Sequence, residues 1–384
     1  MLKLKAVLEE LELAIGELAG ATGISRAAMS GICNHNRWPV KGQQSLKQRI
    51  TDYLKEKGAS ASTLATLFET ASAPTKAKNA ETHKELEMLL RKQPLYQQTR
   101  KHFQLFADPF GELTGADQVF DTPDVAYIRA ALAQTLTSER FLAIVGESGA
   151  GKSTLRRDLI DRISREQRPV IVCEPYVLGL EDNDVKGKTL KAPDIASAII
   201  RTINPQAKLR LSAEARYNQL HRELKESRRA GNRHILVIEE AHCLSIPTLK
   251  HLKRFYELED GFNRLLSIVL IGQPELAQKL AENKPEVREV VQRIELATLE
   301  PLDRHLEQYL AHRLALVNKK PADLLEKGAL DALRTKLTVP ARNRNAQPVS
   351  LLYPLAVGNQ ITAAMNLAAD IGAPKITADV INAV

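Results

Sequence analysis

The chain has 384 residues, 44% of them hydrophobic and 26% charged, with 54 Lys+Arg against 46 Asp+Glu and a formal net charge of +8. This is the composition of a globular protein of two or three domains. It contains no apolar run long enough to cross a bilayer, and its start, MLKLKAVLEELEL, is acidic within the first turns and unlike a signal peptide.

Residues 1–70 show the regular Leu/Ile/Ala spacing of helices with few prolines. The positive charge concentrates toward this end: residues 1–105 carry 16 Lys+Arg against 10 Asp+Glu, and the remainder 38 against 36. A basic end on a near-neutral body suggests a polyanion partner, with nucleic acid the first choice. Residues 15–38, IGELAGATGISRAAMSGICNHNRW, fit a helix-turn-helix. Leu18 and Ala19 face inward, Gly23 permits the tight turn, Ile24 anchors it, and Ser25 caps a second helix. The pattern resembles the repressor-type motif, whose second helix lies in the major groove. It places Arg26, Ser30, Asn34 and Arg37 to touch bases or phosphates of duplex DNA. A helical hairpin used only for packing is the other reading.

Thr70 to Glu85, TASAPTKAKNAETHKE, lacks apolar periodicity and reads as a linker, followed by a helix over Leu86–Leu105 interrupted at Pro94. From Phe106 the pattern changes. Short apolar runs FLAIV (141–145), PVIVC (169–173), HILVI (234–238) and LLSIVLIG (265–272) alternate with amphipathic stretches, which predicts a parallel sheet flanked by helices. The domains are thus expected at 1–70, 71–102 (linker and helix), 103–300 (α/β) and 301–384 (a strand-free helical lid).

FLAIV is followed by GESGAGKST (146–154) and then LRRDLIDRI, a G-x-x-x-x-G-K-S run between a strand and a helix, the context of a P-loop. Gly146, Gly149 and Gly151 allow the N–H groups of Gly146, Glu147, Ser148, Gly149, Ala150, Gly151, Lys152, Ser153 and Thr154 to converge on phosphate oxygens at a positive helix end. Lys152 is assigned to the β- and γ-phosphates of ATP and the Ser153 hydroxyl to Mg²⁺. Further on, Lys186, Lys188 and Lys191 lie in a loop between Pro175 and Pro193 and offer phosphate contacts to DNA, a merely solvated loop being the other reading; Arg156 and Arg157 remain unranked beside them.

The buried run HILVI ends in two adjacent carboxylates, Glu239 and Glu240. Like charges so close repel unless a cation accompanies them. The expected cation is Mg²⁺ brought with ATP, with Glu239 near the metal and Glu240 polarising the attacking water; strand alternation sends the two in different directions. The usual first acid here is Asp, and Glu is one methylene longer. Gln273, at the tip of the next strand, is read as a sensor of the γ-phosphate, although by itself it only opens a turn before Pro274. Arg288 and Arg293 follow; Arg293 is the choice for a finger reaching a neighbouring subunit's nucleotide, and an intrachain ion pair is the competing role.

FADPFGEL (106–113), GESGAGKSTLRRDL, LVIEEAH, IGQPEL, QRIEL and EPLDRHLEQYLAHRL together resemble the ExeA-like AAA+ ATPases over roughly residues 103–320. The resemblance implies a P-loop α/β AAA+ domain with a helical lid. Within the family, the N-terminal module is similar to that of the Mu-type transposition B proteins of phages. Those look like ATP-dependent, largely sequence-nonspecific binders of double-stranded DNA that form helical filaments and deliver target DNA to a transposase. The implied enzyme is an ATPase with Mg²⁺ as cofactor; its partners are DNA, a transposase and further copies of itself, with no membrane. The three scattered cysteines, Cys33, Cys173 and Cys243, suit a reducing cytoplasm, that of the host if the chain is phage-encoded. The lid arginine that often contacts the γ-phosphate in such proteins has no clear counterpart: AQPVSLL (346–352) stands where it is expected, with Arg342 and Arg344 nearby. Two other functions stay open, an ATP-sensing helix-turn-helix transcription regulator and an ExeA-type secretion ATPase, the latter opposed by the missing membrane span.

Overall fold

The computed structural model describes residues 91–175, 190–281, 287–340 and 348–384, together with 15–25, 42–57 and the positions 4, 7, 8, 13, 28, 29, 32, 33, 38, 67 and 68. The chain divides into two compact units, Met1–Met88 and Leu89–Val384.

In the first unit, helix α1 (Ile15–Thr22) and helix α2 (Gln43–Glu56) share a core of Leu18, Ala19, Met29, Ile32, Leu46, Ile50 and Leu54. The last three recur every fourth residue, which puts them on one helical face. Gly23, at φ +69°, turns the chain out of α1 in the left-handed region that suits glycine. Ser25 Oγ then accepts the Ala28 N–H at 3.2 Å, so both the turn and the cap expected at 23–25 are present. Arg26, Ser30, Asn34 and Arg37 lie outside the described residues.

The second unit is built on strands β1 (Phe141–Val145), β2 (Val170–Cys173), β3 (Arg233–Ile238), β4 (Ser267–Gly272) and β5 (Glu295–Thr298). All pair in parallel, in the order β2-β3-β4-β1-β5. Its helices are α3 (Gln97–His102), α4 (Pro123–Gln134), α5 (Lys152–Arg165), α6 (Ala192–Ile203), α7 (Ala213–Arg229), α8 (Ile246–Tyr256) and α9 (Pro274–Lys279). A C-terminal helical body adds α10 (Leu306–Ala315), α11 (Ala329–Lys336), α12 (Pro354–Asp370) and α13 (Ala378–Ala383).

The continuous apolar runs of β1, β3 and β4 follow from burial on both faces. Leu142, Ile144, Ile235, Val237, Val269 and Ile271 pack with α4 and α5. The alternate residues, Ala143, Val145, Leu236, Ile238, Ile268 and Leu270, pack with α6, α7 and α8. Because β3, β4 and β1 are neighbours, the loops leaving their carboxyl ends gather at one edge, where open α/β sheets bind ligands.

The C-terminal body has its own core, of Leu306, Leu310, Leu333, Val357, Ile361 and Met365 among others, and Phe103 and Leu105 join it. Asn366 Oδ1 accepts from Thr99 Oγ1 at 2.7 Å, and Asn366 Nδ2 donates to the Pro94 carbonyl at 2.9 Å, so the segment before the sheet is fastened to α12. Helix α12 begins only at Pro354, because a proline forces the residue before it, Tyr353, out of the helical region (ψ 151°). Residues 301–384 are not wholly without strands: Thr338–Val339 and Val349–Ser350 form a short antiparallel pair.

Candidate nucleotide site

A cavity of about 600 Å³ opens over the carboxyl ends of β1, β3 and β4. Ser148, Gly149, Ala150, Gly151, Lys152, Ser153 and Thr154 line it, as do Glu240, Gln273 and, from the C-terminal body, Tyr309, Arg313, Pro354 and Leu355. Thus the loop after β1, the second carboxylate after β3 and the amide after β4, called from three separate sequence segments, meet around one space.

The phosphate loop needs its glycines for different reasons. Gly151 precedes α5 at φ +104° with open space around it, so only its backbone conformation demands glycine. Gly149 combines φ +79° with contact: a Cβ there would lie 2.4 Å from Leu355 Cβ. At Gly146 a Cβ would press on Leu299 at 3.0 Å and Ala150 at 3.2 Å, a packing constraint. Among the described residues, no acceptor takes the N–H of Gly149, Gly151, Lys152 or Ser153. Those donors stand at the N-terminal end of a 14-residue helix. An anion fits there by both hydrogen bonding and the helix dipole.

Lys152 folds back on its own loop, donating from Nζ to the Gly146 carbonyl at 2.7 Å and the Glu147 carbonyl at 2.8 Å. Burial lowers its pKa below the ordinary lysine value, opposed by the charges of Glu240, Glu147 and Glu275. An ammonium ion so placed is partly desolvated and attracts a phosphate more strongly than it would in water.

Glu239 and Glu240 diverge as strand alternation requires. Glu240 faces the cavity with φ +50°, in the left-handed region. Glu239 turns toward α5, where Arg156 Nε lies 3.3 Å from its Oε2, and Arg156 Nη1 donates to Glu174 Oε1 at 2.6 Å. The cation expected beside Glu239 was Mg²⁺; the chain itself supplies one, the Arg156 guanidinium, from one turn past the phosphate loop. Burial disfavours the charge on Arg156, but the Glu174 hydrogen bond and the Glu239 and Glu174 charges outweigh it and hold its pKa above the ordinary value. Of the two groups assigned to a metal, Ser153 lines the cavity and fits; Glu239 fits only on parting from Arg156. Among the described residues, no cluster of three or more His, Cys, Asp or Glu is arranged to hold a metal ion by itself.

Gln273 stands at the N-cap position of α9, its side chain making no capping bond, and lines the cavity. Arg293 does not: its Nε is 3.6 Å from Glu257 Oε1 at the end of α8, and its side chain is 48% exposed. Lys191 lies at the start of α6, where its N–H donates to Asp194 Oδ2 at 3.3 Å; Lys186 and Lys188 lie outside the described residues, as do Arg342 and Arg344.

Sequence reasoning missed two residues. Arg313 is buried, donating from Nε to the Pro109 carbonyl at 2.8 Å and from Nη2 to the Gly111 carbonyl at 2.6 Å, and so fastens the loop that walls the cavity to α10. Its signal was a charge on the apolar stripe Leu306, Tyr309, Leu310, Arg313, Leu314, where only a paired charge is tolerated. His242 joins Gln273 to the Glu240 turn; its signal was its place two residues after the carboxylate.

A profile of the AAA domain family matches residues 134–280. General secretion pathway protein A of Aeromonas hydrophila is 28% identical over 154 residues, 40% of this chain and 25% of that protein, so the chain spans about a quarter of its relative's length. Among solved structures, the ORC2 protein of Aeropyrum pernix is 15% identical, with a TM-score of 0.46 over 72% of this chain and 70% of that one. Cdc6p of Pyrobaculum aerophilum is also 15% identical, with a TM-score of 0.44 over 72% and 68%. With the matched AAA domain, the parallel sheet order and the phosphate loop, the fold is the P-loop AAA+ α/β fold with helices on both faces of the sheet.

Proposed function

We propose that the chain is an ATP-dependent, largely sequence-nonspecific binder of double-stranded DNA. On this reading it oligomerises along target DNA and delivers it to a transposase, in the manner of the Mu-type transposition B proteins. The ATPase part rests on one observation, the convergence of Lys152, Ser153, Glu240 and Gln273 on a single cavity. The DNA part is supported by the basic balance of residues 1–105 and by the turn and cap at Gly23 and Ser25.

Bound magnesium and ATP bring a labile phosphoanhydride and a Lewis acid to the cavity. Around them the loop N–H groups and Lys152 hold the phosphates, and the Ser153 hydroxyl and Glu239 serve the metal. Glu240 accepts a proton from the attacking water, and the Gln273 amide holds that water in place. Arg293 acts toward a neighbouring copy's site, so that hydrolysis is tied to assembly. Many weak contacts then add along the duplex, and nucleotide state sets DNA affinity.

Electron microscopy and equilibrium binding with duplex DNA, with and without ATP, test the proposal. The wild type coats DNA of any sequence with ATP, and Lys152→Ala does not. Glu240→Gln binds ATP, turns it over slowly and stays longer on DNA. Coating by Lys152→Ala at the wild-type level overturns the coupling. A second reading, an ATPase serving secretion, is favoured by the likeness to general secretion pathway protein A; ATP turnover indifferent to DNA would select it. High-affinity binding confined to one operator would select a transcription regulator.

A further inference from the structure

The turn after β3 and the tip of β4 are joined at one imidazole ring. The Gln273 N–H donates to His242 Nδ1 at 3.4 Å, and Glu240 Oε2 lies 3.6 Å from the same nitrogen. The two backbones also pass closely: a Cβ on Gly272 would lie 3.1 Å from the His242 backbone nitrogen. From α9, Lys279 Nζ donates to the His242 carbonyl and, at 3.2 Å, to the Leu244 carbonyl. Glu240 itself has φ +50°, a conformation that costs a non-glycine residue energy and persists only where its surroundings hold it. The clasp from Lys279 and the ring of His242, 17% exposed, are those surroundings.

An Nδ1 that accepts a hydrogen bond leaves the ring proton on Nε2, so it cannot also donate to a carboxylate. The Glu240 carboxylate therefore takes no hydrogen bond from Nδ1, and its side chain stays 55% exposed at the cavity. We propose that His242 is a positioning residue for ATP hydrolysis: its Nδ1 accepts the Gln273 backbone N–H while its own backbone continues the Glu240 turn, so that one residue fixes where the Glu240 and Gln273 side chains spring from the fold. The proposal rests on the ATPase reading above. A misplacement of about 1 Å in such a frame costs on the order of 10²-fold in rate.

The test compares His242→Asn, His242→Gln and His242→Ala by single-turnover ATP hydrolysis, ATP affinity and melting midpoint. Asn places its amide oxygen near the position of Nδ1, whereas Gln carries it toward Nε2. Expected are hydrolysis by Asn within about 3-fold of wild type and by Gln and Ala about 10- to 100-fold slower, with ATP affinity changed less than about 3-fold in all three. Wild-type turnover by Ala, an Asn variant as slow as Ala, or affinity falling in step with rate overturns the proposal. If Ala does not fold, the Asn and Gln pair decides. If Lys152→Ala stops hydrolysis and His242→Ala does not, only the role of His242 falls. If the wild type hydrolyses no ATP, the ATPase reading fails and takes this one with it.

Discussion

Arg156 and Glu239 form an ion pair, with Nε 3.3 Å from Oε2, between the helix that begins at the phosphate loop and the strand that ends at the acidic pair. Glu174, at the end of β2, completes the arrangement by accepting from the same guanidinium at 2.6 Å. The Glu239 carboxylate cannot serve Arg156 and a metal ion in full at once. Arg156→Gln is expected to tighten magnesium binding in the ATP complex and to lower stability by about 1 kcal/mol, a value reduced for the partial exposure of the pair. In a cycle with Glu239→Gln, the two losses should fall short of additive by about 0.5 kcal/mol. Magnesium titrations of ATP-loaded protein and denaturant unfolding check both; strict additivity excludes the coupling.

Gly149 and Gly151 separate two causes of glycine dependence. Gly151→Ala meets only backbone strain and should cost about 1–2 kcal/mol. Gly149→Ala meets similar strain and also Leu355, so it should cost more and should open the contact between α12 and the loop, where the Leu355 N–H donates to the Gly149 carbonyl at 3.2 Å. Adding Leu355→Ala to Gly149→Ala should recover part of the loss. Melting midpoints and ATP calorimetry give the order.

Arg293 has an intrachain partner, Glu257, and a proposed partner in a neighbouring copy. Arg293→Ala is expected to keep ATP affinity and lose at least about 10-fold in DNA-stimulated turnover, while Glu257→Gln stays near wild type. Equal losses in the two variants would mean that the ion pair itself is what matters. Mixing Arg293→Ala with the hydrolysis-deficient Glu240→Gln should restore turnover where an Arg293 meets a neighbour's Glu240.

Burial pushes the Tyr309 hydroxyl up to about 12, against the opposing influence of Arg313. Its pKa in the fold is above its unfolded value, so its contribution is fully present below about pH 10 and is lost as pH rises toward 12. The expected loss is up to about 2–3 kcal/mol across that window. Tyr309→Phe removes the titration, so its stability should fall less steeply there. Tyr353, also raised to about 12 by burial, contributes in the same direction and keeps the slope of the variant from reaching zero.

Much of the fold and site was legible in the residues. The runs FLAIV, HILVI and SIVLIG are apolar throughout because both faces of a central parallel strand are covered, a pattern that needs no neighbour to be recognised. GESGAGKST states its backbone requirements in its glycines, and the adjacent pair Glu239 and Glu240 must diverge at a strand end. These are local constraints, written within a few consecutive positions. The partners of those groups were not legible. Arg156 against Glu239 and Glu174, Leu355 against Gly149, Arg313 against the carbonyls of Pro109 and Gly111, and His242 against Gln273 join positions from 18 to 206 residues apart. Hydrogen bonds and ion pairs act over a few ångströms, so which side chain supplies the charge or the lone pair depends on where the sheet order and the helical body bring distant segments, and periodicity carries no record of that.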